Sequence, residues 1–164
     1  MAKIRAIVTI ILRLVALVAT IFAIVSMVTS SDSAHVLNLT FTAKYSDTPA
    51  FKFFVVAQAI AGGYTLVILL LTPKKGVFWR LFIILDSVTT LLLTSSISAA
   101  LAIGLVGRNG SSHAGWLPVC GQVHKFCDHA TASIVAGFVA AISYFLLFIY
   151  SLHATLSPIF GVKP

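Results

Sequence analysis

Four long apolar runs, divided by polar stretches, organise the chain: residues 7–28, 51–71, 81–106 and 130–152. At about 1.5 Å of helix per residue even the shortest reaches roughly 32 Å, the thickness of a bilayer's hydrocarbon core. The pattern predicts an all-α membrane protein: one four-span domain over 1–164, with outer loops at 29–50 and 107–129. The first run follows the basic start MAKIR, so a signal peptide cut near Ala34 is the competing reading. Secretory apolar cores span about 7–15 residues, however, and this run is longer and carries Arg13, which favours a first transmembrane helix.

Inside the runs, a few polar and small residues break the hydrophobicity. The third, LFIILDSVTTLLLTSSISAALAIGLV, holds Asp86, the one carboxylate inside any run, and the first holds Arg13. Measured from Arg5 and Arg80, the two lie about 12 Å and 9 Å along helices that enter from the same side, so their depths match. Unpaired, they would together cost about 5–7 kcal/mol on insertion scales, so an intramembrane ion pair is expected. The alternative is that Arg13 snorkels to the headgroups and leaves Asp86 without it.

Thr90, Thr94 and Ser98 form a polar stripe on the third run at four-residue steps. Such hydroxyls usually bond back to the preceding turn, which favours a structural role over a conducting one. Small residues recur at the same step in Ala59-x-x-x-Gly63, in Gln58-x-x-x-Gly62 and through Ser133, Gly137 and Ala141. That spacing lets helix backbones approach closely, so oligomers built on the second or fourth run are expected. Against this stands the plain abundance of Ala and Gly in membrane helices.

Composition agrees with the pattern. The chain is 59% hydrophobic and 9% charged with a mean hydropathy of +1.06, whereas soluble proteins are about 25% charged. Its net charge of +7 raises nucleic-acid binding, but no basic stripe with interleaved aromatics is present, and that class is excluded. Instead, Lys3, Arg5, Lys74, Lys75, Arg80 and Lys163 fall on one side of the spans. Lys44, Lys52, Arg108 and Lys125 fall on the other, offset by Asp32, Asp47 and Asp128. The bias puts both termini in the cytoplasm. Two glycosylation sequons, at Asn38 and Asn109, share the outer side.

Candidate chemistry is sparse. Cys120 and Cys127 share an outer loop and form a candidate disulfide. Metal is the competing reading, given His113, His124 and His129 nearby, but a C-x6-C pair with single histidines matches no common zinc pattern. With acidic residues numbering 4, all Asp, paired acid–base work lacks a second carboxylate beside Asp86. No catalytic residue, metal or cofactor is expected, and the helix faces and outer loops are the expected working surfaces.

These features together resemble the Casparian strip membrane domain protein-like (CASP-like) family of plants, related in plan to MARVEL-type tetraspans. The resemblance rests on the four spans, on Arg13 and Asp86, on KYSDTPAFKFFVVAQAIAGGYTL entering the second span, and on Cys120 and Cys127. It implies a plasma-membrane protein that forms homo- and hetero-oligomers, a polymerised membrane platform in the namesakes, and cell-wall-modifying proteins as partners. The first outer loop lacks the aromatic signature ESLPFFTQF of the strip-forming members. A general membrane organiser is therefore the expected role, with a small channel or carrier around Asp86 as the alternative.

Overall fold

The computed structural model describes residues 2–36, 39–71, 77–110, 113 and 115–156. Helix α1 (Ala2–Val28) leads into a hairpin of strands β1 (Ser31–Val36) and β2 (Leu39–Lys44), then a 3₁₀ turn (Tyr45–Asp47). Helices α2 (Pro49–Leu71), α3 (Val77–Asn109) and α4 (His124–Leu156) follow. All four helices are long and apolar enough to cross a membrane.

Each helix hides a narrow seam whose positions alternate steps of three and four. On α1 the seam is Arg13, Ala16, Thr20, Ala23 and Met27; on α2 it is Phe51, Phe54, Gln58, Ala61, Thr65 and Ile68. On α3 it is Asp86, Thr89, Leu93, Ser96 and Ala100; on α4 it is Ala130, Ser133, Gly137, Ala140, Tyr144, Leu147 and Ser151. A mean spacing near 3.5 residues is that of helices wound left-handedly in bundles. The seam is mostly small or polar, while large side chains such as Val18 and Leu91, 67% and 68% exposed, point outward. This is the arrangement lipid demands, because small residues let backbones approach and apolar bulk gains nothing by leaving the hydrocarbon.

The helices form a ring in chain order. Each packs on its sequence neighbours, and α1 closes the ring against α4. That sets α1 opposite α3 and α2 opposite α4, and both diagonals are crossed by polar side chains. The hairpin and the segment joining α3 to α4 lie together at one end, called here the loop end.

Two features depart from the polar loops expected at 29–50 and 107–129. The first is the hairpin, paired antiparallel from Ser31 with Lys44 to Val36 with Leu39. Its second strand, LTFTAK, is rich in β-branched and aromatic residues, a pattern that favours pairing. Lys44, Tyr45, Ser46 and Asp47 then turn the chain, with the Asp47 carboxylate accepting the Lys44 amide at 3.1 Å. Thr48 takes the amides of Phe51 and Lys52 on its carbonyl, and Pro49 opens α2 where a missing amide costs nothing. The second is the early start of α4, at His124 instead of residue 130. Tertiary contacts hold that extra stretch: Val123 is buried, and the Phe126 ring meets Phe51 edge-on at 5.8 Å.

Candidate functional site

The first diagonal carries the charges. Arg13 Nη2 of α1 donates to Asp86 Oδ2 at 3.0 Å and to Oδ1 at 3.3 Å. Both side chains are buried, Asp86 to within 1%. Tyr64 of α2 completes the cluster: its hydroxyl donates to Asp86 Oδ1 at 2.8 Å, and its ring lies 5.9 Å from the guanidinium carbon. A buried ion pair repays its desolvation only with such extra hydrogen bonds and cation–π contact. Asp86 thus faces the interior of one chain with its oxygens engaged.

The second diagonal joins α4 to α2. Tyr144 donates its hydroxyl proton to the Ala61 carbonyl at 2.6 Å, and the same oxygen is bonded to Thr65 Oγ1. Nearer the loop end, Ser133 Oγ donates to the Ala23 carbonyl of α1. Sequence reasoning missed Tyr64, Thr65 and Tyr144. The available signal was a tyrosine in mid-span, whose hydroxyl must find a partner away from water.

The polar stripe of α3 lies elsewhere. Thr90 donates to the Asp86 carbonyl at 2.7 Å, Thr94 to Thr90 at 2.8 Å and Ser98 to Thr94 at 2.8 Å. Thr94 and Ser98 are exposed, so the stripe runs along the lipid-facing side and not through the bundle. Its hydroxyls are spent on their own helix.

The small residues divide into two groups. Ser133 and Gly137 are buried inside the bundle, where a Cβ on Gly137 would sit 2.8 Å from Gln58 Nε2 and 2.9 Å from Phe54 Cε2. Ala141 is half-buried beside them, while Ala59 and Gly63 point outward, with open space around Gly63. Gly62, next in line, is buried with Thr20 Oγ1 3.1 Å from where its Cβ would be. The fourth-span steps thus mark contacts within the chain, and the second-span pair marks an outer surface.

Gln58 is fully buried, and neither its amide nitrogen nor its amide oxygen meets a protein partner among the described residues. Leaving such a group unsatisfied costs about 1–3 kcal/mol. Gln58→Met, of similar length and without the amide, is expected to raise stability by a comparable amount. Thermal unfolding in detergent checks it, and a lowered melting temperature would show that the amide has a partner.

At the loop end, Cys120 and Cys127 form a disulfide with their Cα atoms 5.7 Å apart. The bridge ties the loop to the first turn of α4. A second tie fastens it to α3, where the Gly107 carbonyl accepts the amides of Val119 at 2.9 Å and Cys120 at 3.2 Å. Gly110 makes this return possible. Its φ of 69° is left-handed, and a Cβ there would lie 2.7 Å from the Trp116 carbonyl oxygen. His124 pairs with Asp128 at 3.5 Å on the surface, while His113 and His129 are exposed. Among the described residues no group of three or more His, Cys, Asp or Glu could hold a metal ion. Asn109 is exposed at the last residue of α3, and Asn38 lies outside the described residues.

Comparison with known proteins points the same way. Residues 2–143 match the model of the Casparian strip membrane protein domain. CASP-like protein 1C2 of Populus trichocarpa is 65% identical over the whole of both chains. CASP-like protein 1C1 of Vitis vinifera is 54% identical over 96% of this chain and 99% of its own, and the Arabidopsis thaliana protein of that name 49% over 90% of each. No solved structure gives a significant match. A match over most of the chain, joined to relatives this similar from end to end, shows that the protein belongs to the Casparian strip membrane domain, or CASP-like, family.

Proposed function

We propose that the protein is a non-enzymatic plasma-membrane scaffold that associates with itself and with related family members through the outer faces of its helices. The observation that carries this reading is the closure of the bundle's interior. Asp86 is bonded to Arg13 and Tyr64, and the hydroxyls of the α3 stripe are bonded to their own helix. A carboxylate so neutralised is a poor site for a travelling ion, and the channel or carrier reading loses its support. What remains available to partners is the surface.

On that surface, Ala59 and Gly63 of α2 present backbone at a four-residue step to the lipid. Van der Waals packing at such places, more than hydrophobicity, drives association within a bilayer. Ala59→Leu with Gly63→Leu should leave the fold intact, since both positions point outward, and should shift the protein from oligomer to monomer. Chemical cross-linking in membranes, with a fluorescent fusion followed by photobleaching, measures this. Unchanged oligomers and immobile patches in the double variant would refute the assigned face. Patches at the cell wall would also suit a platform that organises wall-modifying proteins.

Orientation forms part of the proposal: both termini in the cytoplasm, the loop end outside. The disulfide supports it, because such bonds persist in oxidising compartments. Sequons at Asn38 and Asn109 then face the glycosylation machinery. Glycosidase treatment is expected to shift the protein on a gel, with the shift lost in Asn38→Gln with Asn109→Gln. A shift that survives both substitutions would contradict the assigned sites.

A further inference from the structure

The loop between α3 and α4 carries the run Trp116, Leu117, Pro118 and Val119. Its large apolar side chains turn away from the protein. Trp116 is 59% exposed, Val119 51% and Leu117 82%, the most exposed large hydrophobic side chain among the described residues. The helices also expose apolar side chains, but theirs face hydrocarbon; on a loop standing in water these would have no cover.

Backbone bonds fix the height of this run. Val119 donates its amide to the Gly107 carbonyl of α3 at 2.9 Å. Its own carbonyl accepts the amides of Gln122 at 3.0 Å and Val123 at 3.2 Å, where α4 begins. The Trp116 carbonyl oxygen lies 2.7 Å from where a Cβ on Gly110 would be. The run is thereby pinned between the ends of two spans and cannot stand off from them. The third span, Leu81–Asn109, has 29 residues, about 44 Å of helix, which matches a bilayer measured with its headgroups. Gly107 is just inside its end, so the run lies level with the headgroup layer.

The same side chains continue a surface already turned to lipid. Trp116 and Leu117 share the lining of one cavity, of about 670 Å³, with Arg108 and Thr131. Those two stand one turn nearer the loop end than Leu105 and Val135, both exposed on the spans. Charges around the cavity balance, Lys44 and Arg108 against Asp47 and Asp128, so nothing there selects an acidic or a basic partner.

We infer that Trp116 and Leu117 seat in the headgroup layer of the adjoining leaflet and hold this loop against the membrane surface. An indole suits that place, because its apolar body enters the leaflet while its N–H reaches headgroup oxygens. The contact is with lipid and is independent of whether chains associate.

The chain has 2 tryptophans, so Trp79→Phe leaves Trp116 as the sole indole reporter. The test places this full-length variant at high dilution in phosphatidylcholine vesicles. Its fluorescence is read with lipids brominated at the headgroup end or the methyl end of their acyl chains, and with iodide on both sides of the membrane. The expected result is emission at shorter wavelength than in water, quenched strongly by the shallow bromines and weakly by the deep ones and by iodide. Water-like emission quenched by iodide alone would overturn the inference. So would short-wavelength emission that neither bromines nor iodide quench, which would set Trp116 against protein. If Trp79→Phe folds poorly, the wild-type signal less that of Trp116→Phe, altered at an exposed side chain, gives the same reading.

Discussion

Replacing either Arg13 or Asp86 with alanine is expected to destabilise the bundle by about 3–5 kcal/mol, the cost of leaving a buried charge without its partner. That is a large share of the stability of a chain this size. The cost is not symmetrical in its details. Without Arg13, Asp86 keeps the Tyr64 hydroxyl at 2.8 Å, while without Asp86 the guanidinium loses both carboxylate bonds and keeps its contact with the Tyr64 ring. Arg13 Nη1 already lacks a partner among the described residues, so the second loss should be the worse. Tyr64→Phe removes one hydrogen bond to a charged group and should cost about 1.5–3 kcal/mol, less than either alanine variant. The exchange Arg13→Asp with Asp86→Arg restores opposite charges at the same depth but misplaces the acceptor for Tyr64, so recovery should be partial. Surface expression and thermal unfolding in detergent measure all four. If both alanine variants are tolerated and the exchange is no better than the worse of them, the pair does not hold the bundle.

The charges were legible in the sequence because depth is readable from residue number once a run is known to be a helix. Arg13 and Asp86 can be placed at one level without any knowledge of packing, and hydrocarbon leaves unpaired charges few alternatives. Cys120 and Cys127 were legible for a similar reason, being close in sequence and on one side of the membrane. The hairpin was not. Its strands are short, and the first, SDSAHV, contains Asp and Ser, so the alternation is weak. Nor was the start of α4 at His124, since the stretch before residue 130 is polar and becomes helical through Phe126 on Phe51 and the disulfide.

The seams were the deeper omission. Hydrophobic periodicity finds the buried face of a soluble helix, but here the buried face is the less hydrophobic one. Reading small and polar residues at steps of three and four would have recovered it: Arg13, Ala16, Thr20, Ala23 and Met27 stand in plain sight. Uniform four-residue steps select a different set. They grouped Gly137 with Ala141, whereas the seam runs from Gly137 to Ala140 and Tyr144.

That difference changes what a substitution at Gly137 should do. Read as an oligomer contact, Gly137→Leu would yield folded monomers. Read from the structure, even a Cβ there meets Gln58 Nε2 at 2.8 Å and the Phe54 ring at 2.9 Å. The Gln58 amide can swing aside, but Phe54 is rigid and fully buried, so the backbones of α2 and α4 must part. Overpacking of this kind costs about 1–3 kcal/mol and occasionally more, so Gly137→Ala should lower the melting temperature and Gly137→Leu should prevent folding. Low yield alone would not separate packing within a chain from packing between chains. A compensating change does: Phe54→Leu with Gly137→Ala removes the ring that the new methyl meets. Residues in contact couple non-additively, so the double variant should be more stable than the sum of the two single changes. Additive losses, or folded Gly137→Leu protein that runs as a monomer, would place Gly137 at an interface between chains.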